Sequence, residues 1–189
     1  MTKLNSFMNI LTGNFDNSEQ YGEKRKNGVE NFPYAEHVNT ICNNKITNLP
    51  TDFKGIFMIE ESYYTSDGKT HAAPHLFLFT EEQEGIKLTS YEIPKGYDKD
   101  TFTYNNLTEI DFNDLVLSEK FTPAIYNLKD NVWEGGSISM FSPVLKFTLF
   151  ERFSEKWLEV SESMEVNGKR TFGYDEPIIY KRSNTISKE

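Results

Sequence analysis

The hydrophobic positions at the start of the chain follow the period of an α-helix. Four apolar side chains are spaced three and four residues apart, namely Leu4, Phe7, Met8 and Leu11. This spacing places them on one face of a helix, and Gly13 follows where a helix commonly ends. Residues 16–18 then offer capping side chains for a second, more polar helix that continues through Gln20. A polar loop is expected over 24–31, and the period over 34–41 does not distinguish helix from strand.

After residue 50 the period changes to two, which is typical of a β-strand with one buried face. Short alternating segments recur along the rest of the chain, at 57–64, 75–79, 86–93, 124–128, 132–140, 144–153, 157–166, 169–172 and 178–180. Turn residues separate them, and Asn167-Gly168 is the strongest two-residue hairpin signal. Gly135-Gly136 predicts a hairpin or a bulge, while 101–120 is ambiguous between loop and short helix. About eight to ten antiparallel strands after an N-terminal helix indicate a barrel or a sandwich.

Composition adds aromatic side chains to this picture. The 189 residues include fifteen Phe, ten Tyr and two Trp, which are side chains that suit the half-buried face of a strand. Alternation directs about half of the strand aromatics inward, where they either fill a barrel or line a cavity. A chain of this length commonly forms one domain, so we expect a single domain over 1–182 and a polar tail over 183–189.

Charge and cysteine content exclude several classes of function. A net charge of −9 repels polyphosphate, so nucleic-acid binding is not expected. The single cysteine, Cys42, allows no internal disulfide, and a buried, inert thiol is its commonest state. Polar residues interrupt the N-terminal segment, and no apolar run reaches the roughly 18 residues of a membrane span. The sequence therefore predicts no signal peptide, no membrane association and a cytoplasmic location.

Candidate chemistry is limited to a few polar side chains on the predicted strands. Two histidines, His71 and His75, and the pair Glu60-Glu61 are of types that bind metal ions. The segment between the histidines is strand-like and contains Pro74, so the two rings need not converge, and we expect no metal site. No nucleophile elbow or phosphate-binding loop occurs, and no catalytic residue is nominated. Neighbouring side chains on a strand point to opposite faces, so one glutamate of the pair is expected to face inward.

The opening of the chain resembles a known family. Residues 7–20 read Phe-Met-Asn-Ile-Leu-Thr-Gly-Asn-Phe-Asp-Asn-Ser-Glu-Gln. They are similar to the start of the T-type phycobiliprotein lyases (the CpcT/CpeT family), whose first helix ends in a Leu-x-Gly-x-Phe-x-Asn-x-x-Gln pattern. His37, the aromatic strand over 57–64, and the segments 162–173 and 178–182 follow in the order of that family. Where the family carries an arginine-rich Tyr-Arg-x-Arg segment, this chain has Ala-Ala-Pro-His at 72–75.

The resemblance implies a calycin-type, lipocalin-like β-barrel with the N-terminal helix closing one end. It also implies attachment of a linear tetrapyrrole (bilin) to a cysteine of a phycobiliprotein subunit, with the pigment as a bound substrate and no resident cofactor. The protein would hold the pigment extended and present it to the acceptor thiol, with a carboxylate beside the pyrrole nitrogens. The residues nominated for the ligand pocket are His37, Glu61, Tyr63, Tyr64, His75, Phe77, Tyr91 and Glu162, with Glu61 or Glu162 as that carboxylate.

Two other functions stay open at this level. One is a non-catalytic, lipocalin-like binder of another hydrophobic small molecule. The other is an interaction module whose barrel is solid and whose acidic surface meets a basic partner. A homodimer is compatible with the sequence in each case. A cavity lined by the nominated rings would favour either ligand-binding function, whereas a filled interior would favour the interaction module.

Overall fold

The computed structural model describes residues 2–183, which are built mainly from β-strands. The helices in this part of the chain are α1 (Lys3–Leu11) and α2 (Ser18–Lys26). The strands are β1 (Gly13–Asp16), β2 (Tyr34–Ile41), β3 (Ile46–Thr47), β4 (Ile56–Ser66), β5 (Lys69–Glu82), β6 (Gly85–Tyr91), β7 (Ile110–Asp111), β8 (Ala124–Lys129), β9 (Val132–Met140), β10 (Leu145–Phe153), β11 (Leu158–Val166), β12 (Lys169–Gly173) and β13 (Ile178–Arg182). The predicted mainly-β class is confirmed.

Ten of these strands close into an antiparallel barrel. Their order around the wall is β10-β9-β8-β6-β5-β4-β2-β1-β13-β11, and β11 pairs with β10 to complete the circle. β12 extends the wall from β11 as the second strand of a hairpin, and β3 and β7 form a separate parallel pair. Closure satisfies the backbone groups of the wall strands without leaving a free edge. The predicted single antiparallel barrel with an N-terminal helix is confirmed.

Helix α1 packs across one end of the barrel through the hydrophobic face that its spacing predicts. Leu4, Phe7, Met8 and Leu11 are all buried. The ring of Phe7 lies 5.3 Å from that of Phe79, 5.4 Å from Tyr126, 5.0 Å from Trp133 and 5.1 Å from Phe153. These four partners come from β5, β8, β9 and β10, so one helical side chain joins four strands of the wall. Each such ring pair adds roughly 0.5–1.5 kcal/mol beyond the burial of its surface.

A second hydrophobic cluster lies outside the barrel, against β4, β5 and β6. Its strand residues are Phe57, Ile59, Leu76 and Leu78, which alternate with residues that face the barrel interior. They are covered by Ile46 of β3 and by Cys42, Phe102 and Leu107 from the segments around β3 and β7. Because both faces of these strands are buried, they read as nearly continuous apolar runs. The segment over 101–120 contains β7 and a short 3-10 turn at Phe112–Asp114, and no α-helix.

Several local predictions differ from the structure. Helix α1 is capped at Thr12, and Gly13 already belongs to β1, with a φ of +125°. Gly135-Gly136 forms no hairpin, because it lies inside β9 in continuous register with β8 and β10. Helix α2 continues to Lys26, into the predicted loop. The segment 34–41, whose hydrophobic period did not distinguish helix from strand, is strand β2. The hairpin at Asn167-Gly168 is confirmed, with φ of +51° and +76°.

Two further predictions concern the extent of the domain and the membrane. The proposed boundary between a domain over 1–182 and a tail over 183–189 stays a prediction, and residues 184–189 lie outside the described residues. Within 2–183, neither helix has the length and hydrophobicity needed to span a membrane.

Candidate functional site

The two faces of β4 place adjacent glutamates in different surroundings. Met58 belongs to the core inside the barrel, whereas Phe57 and Ile59 belong to the cluster outside it. Side chains alternate along the strand, so Glu60 follows Met58 inward and Glu61 follows Ile59 outward. The same alternation directs Phe77 and Phe79 of β5 inward, together with Leu88 and Ser90 of β6.

A cavity that opens to solvent occupies the barrel beyond the aromatic layer under α1, and its empty space together with the adjoining open solvent amounts to about 500 Å³. Along β5, the inward residue next to Phe79 of that layer is Phe77, and along β10 the inward residue next to Phe153 is Glu151. Both Phe77 and Glu151 line the cavity. The full lining consists of His37, Glu60, His75, Phe77, Leu88, Ser90, Phe121, Thr122, Ser137, Phe147, Leu149, Glu151, Val160 and Glu162.

His37 and Glu60 form an ion pair in the wall of this cavity. Nδ1 of His37 lies 3.5 Å from Oε2 of Glu60, and Nε2 lies 2.9 Å from the hydroxyl of Tyr180. Burial lowers the pKa of His37, but the negative charge of Glu60 and a hydrogen bond with it outweigh burial, and the pKa is raised. Burial likewise raises the pKa of Glu60, and the positive charge of His37 outweighs it, so that pKa is lowered. Both pKa shifts favour the form of the pair in which His37 is protonated and Glu60 is deprotonated.

Two other glutamates of the lining have only hydroxyl partners. The hydroxyl of Tyr126 donates to Glu151, and that of Tyr64 donates to Glu162 over 3.4 Å. Burial, with the negative charge of Glu60, raises the pKa of Glu151 to about 8 and also raises the pKa of Glu162. No lysine or arginine is among the residues that line the cavity. These two carboxyl groups therefore either hold a proton or remain without a compensating positive charge.

Aromatic rings form part of the wall of the cavity. The ring of His75 stacks on that of Phe77, with centroids 5.2 Å apart and planes 6° apart. Phe121, which precedes β8, packs edge-on against Phe147 of β10 and against Phe141, which follows β9, at 5.7 Å and 5.0 Å. Burial lowers the pKa of His75 despite the charge of Glu60, so this ring is neutral at physiological pH. Such an arrangement suits a flat hydrophobic ligand.

A smaller pocket lies on the other side of Glu162, and its empty space together with the adjoining open solvent amounts to about 280 Å³. It is lined by Tyr64, Val160, Glu162, Phe172, Tyr174, Glu176 and Ile178. Val160 and Glu162 line both spaces, so the carboxyl group of Glu162 stands between them. The hairpin of β11 and β12 carries the outer rim of this second pocket.

The structure brings together five of the eight nominated residues. His37, His75, Phe77 and Glu162 line the cavity, and Tyr64 lines the adjacent pocket and contacts Glu162. Whether they bind a ligand stays a prediction.

The remaining three lie on the outer face of the barrel. The hydroxyl of Tyr63 donates to Glu61 over 2.8 Å, and Glu61 also accepts the backbone N–H of Tyr104 over 3.0 Å. Tyr91 packs against Phe57 in the outer cluster, with ring centroids 5.4 Å apart. Glu61, Tyr63 and Tyr91 are therefore not part of the cavity, because each occupies an outward position on its strand.

Several lining residues were not nominated from the sequence. Glu60 was recognised only as one of two alternatives with Glu61. Glu151 lies an even number of positions from Phe147 and Phe153 on β10, so these three side chains point to the same face of the strand. A prediction that Phe147 and Phe153 face the interior would therefore have identified Glu151. Phe121 comes from a loop, and no pattern in the sequence indicates its position.

The histidines and Cys42, which the sequence offers for metal binding and thiol chemistry, lie in different surroundings. Across residues 2–183, no group of three or more histidine, cysteine, aspartate or glutamate side chains is arranged to hold a metal ion. His71 is exposed near the hairpin end of β5, away from the lining residue His75. Cys42 is fully buried in the outer cluster, and burial raises the pKa of its thiol to about 12. The thiol is therefore protonated at neutral pH and is a poor nucleophile.

Comparison with known proteins identifies no family. No protein-family model matches the chain, and no curated protein matches its sequence. The resemblance to T-type phycobiliprotein lyases therefore stays a prediction that depends on the opening motif, and the cavity is the observation from which a function can be argued.

Proposed function

We propose that this protein is a carrier that binds a flat, hydrophobic small molecule inside the barrel. The cavity is the observation that supports this function, because it combines aromatic walls with ionisable groups that a solid core would exclude. An interaction module with a filled barrel is less well supported, since its interior would have no reason to hold Glu60, Glu151 and Glu162 beside free space.

A linear tetrapyrrole is the first ligand to test. Its pyrrole N–H groups would donate to Glu60 or Glu162, and its conjugated rings would lie against Phe77 and Phe147, which line opposite parts of the wall. In this version the protein acts mainly as a cytoplasmic pigment carrier that assists thioether attachment to a cysteine of a phycobiliprotein subunit. Its contribution to that reaction is to orient the pigment and exclude competing additions.

A non-catalytic binder of another hydrophobic molecule is the second candidate, and one observation favours it. The propionate groups of a bilin need cations or water, yet no lysine or arginine lines the cavity. At 72–75, where the resembled family is arginine-rich, only His75 reaches the cavity, and its ring is neutral. A bilin would therefore have to direct its propionates out through the mouth.

Titration with a bilin tests the tetrapyrrole version directly. Binding in the cavity should shift the visible absorption of the pigment at micromolar protein. Glu162→Gln should weaken binding by about tenfold, because a neutral amide replaces a charge-assisted acceptor. Glu61→Gln is the matched control, since Glu61 lies on the outer face, and it should leave the affinity unchanged.

Two results would contradict this version. Absence of any spectral shift would exclude the tetrapyrrole as a ligand. Weaker binding by Glu61→Gln, with unchanged binding by Glu162→Gln, would place the pigment outside the barrel.

A further inference from the structure

We propose that the ligand of the barrel cavity is an organic cation, with a flat hydrophobic body, a protonated nitrogen and no acidic group. This inference rests on the proposed carrier function and specifies the class of ligand. It differs from the tetrapyrrole version, whose ligand carries acidic side chains.

The balance of charge inside the barrel is the first argument. Glu60 is paired with His37, whereas Glu151 and Glu162 have hydroxyl partners only. With no lysine or arginine in the lining, a bound acid would add negative charge to an interior that already has an excess of carboxyl groups. A protonated nitrogen would instead compensate one of the two carboxylates and form a charge-assisted hydrogen bond with it.

A buried hydroxyl without a partner is the second, independent argument. The side chain of Ser90 is 6% exposed, lines the cavity and forms no hydrogen bond with any residue in 2–183. It lies on β6 directly opposite Phe77 of β5. Buried polar groups in proteins almost always have partners, and for this hydroxyl only water or a ligand in the cavity can supply one. An N–H of a protonated nitrogen is a suitable donor to this oxygen.

The aromatic rings support the same class of ligand. Phe121, Phe141 and Phe147 contact one another, and Phe121 and Phe147 line the cavity. The faces of aromatic rings attract cations, and this attraction is stronger where water is excluded. The neutral ring of His75 adds no positive charge that would oppose a bound cation. The net charge of −9 also favours the approach of cations to the protein.

A series of dyes with one ring system and three charges tests the inference. The cation is 9-aminoacridine (aminoacridine below), which is protonated near neutral pH, the neutral dye is acridine, and the anion is acridine-9-carboxylate. Fluorescence titration of the full chain should show that aminoacridine binds at least about tenfold more tightly than acridine, and that the carboxylate binds most weakly. Glu151→Gln and Glu162→Gln should each reduce this preference, while acridine affinity changes by less than about twofold. Glu61→Gln is the control and should reproduce the wild-type preference.

Each contrary outcome has a defined meaning. Equal or tighter binding of acridine or its carboxylate would overturn the cation inference and leave the carrier function standing. A preference for the cation that survives in both glutamine variants would also overturn it, because the general negative charge of the protein would then be the cause. If none of the dyes binds and the bilin titration also shows no shift, the carrier function fails and the inference fails with it. Circular dichroism of each variant checks that the variant folds. The comparison of the three dyes uses the wild-type protein, so it tests the inference even if a variant does not fold.

Discussion

At the scale of single residues, adjacent glutamates on β4 take part in different interactions. Glu61 accepts hydrogen bonds from Tyr63 and from the backbone of Tyr104, and so links the outer segment to the barrel. Glu60, one position earlier, is turned into the barrel and paired with His37. A change of one residue in register would exchange these environments, since the side-chain period of a strand is two. This pair therefore provides an internal control for every experiment on the cavity.

Glu151 gives a prediction about stability and pH. The folded protein holds the proton of this carboxyl more tightly than the unfolded chain does, because its pKa is raised to about 8. Its contribution to stability is therefore present at acidic pH and is lost as the pH rises from the ordinary glutamate range through about 8. Glu151→Gln, which keeps an acceptor for Tyr126, should raise the free energy of unfolding at alkaline pH by about 1–3 kcal/mol and change it little at acidic pH.

Urea unfolding at acidic and at alkaline pH measures this difference, with Glu84→Gln, at an exposed glutamate between β5 and β6, as the control for loss of a surface charge. An equal change at both pH values would contradict the prediction, because it would show that Glu151 does not exchange its proton between the two conditions.

At the scale of elements, helix α1 acts as the closure of one barrel end. Its hydrophobic face was evident from spacing alone, but its docking position depends on rings from four strands that are distant in sequence. In strand β9, by contrast, the local sequence pattern was misleading, because Gly135-Gly136 predicted a hairpin or a bulge and lies inside a continuous strand. A Cβ on Gly136 would lie 2.1 Å from the carbonyl oxygen of Leu149, so this glycine permits close strand packing and does not make a turn.

Removing the ring at the centre of the α1 contact should destabilise the whole fold. Phe7 has no exposed surface, and Phe7→Ala should lower the free energy of unfolding by about 3–5 kcal/mol through lost burial and a residual cavity. Chemical denaturation with circular dichroism measures the change. Asn5→Ala, on the exposed face of the same helix, is the control and should cost far less. A small effect of Phe7→Ala would show that the barrel is stable without the helix.

At the scale of the whole molecule, two hydrophobic clusters share three strands. β4, β5 and β6 contribute one face to the interior of the barrel and the other to the outer cluster. If these strands separated from one cluster, hydrophobic side chains of the other cluster would also become exposed to solvent. Barrel, helix and outer segments are therefore expected to unfold together.

Cooperative unfolding is testable with two probes. Trp133 is buried beside Phe7, so its fluorescence in a Trp157→Phe variant reports on the closed end of the barrel. Far-ultraviolet circular dichroism of the same variant reports on all strands. The two transitions in urea should coincide within error. An earlier fluorescence transition would show that the helical end opens separately, and a later one would show that the outer segments unfold first.

Much of the architecture was predictable because it depends on local period and turn chemistry. The spacing of Leu4 to Leu11, the alternation along β4 to β6 and the Asn167-Gly168 turn each describe an interaction between neighbours in the chain. The short strand β1 and the interior position of Gly135-Gly136 were not predictable, since both depend on strands that approach from elsewhere. The position of Phe121 in the cavity lining was also not predictable, because a residue in a loop follows no regular hydrophobic period.

By itself, the sequence determined the mainly-β class, the N-terminal helix, the positions of most strands and the excess of acidic and aromatic side chains. The hydrophobic period and the composition are properties of the local sequence, and they do not depend on which strands pair with each other. The tertiary structure alone decided which side of each strand faces the interior. It therefore selected Glu60 over Glu61, added Glu151 and left Tyr63 and Tyr91 outside. The physical reason is that closure of the barrel assigns one face of every strand to the interior, and no residue encodes that choice without its neighbours.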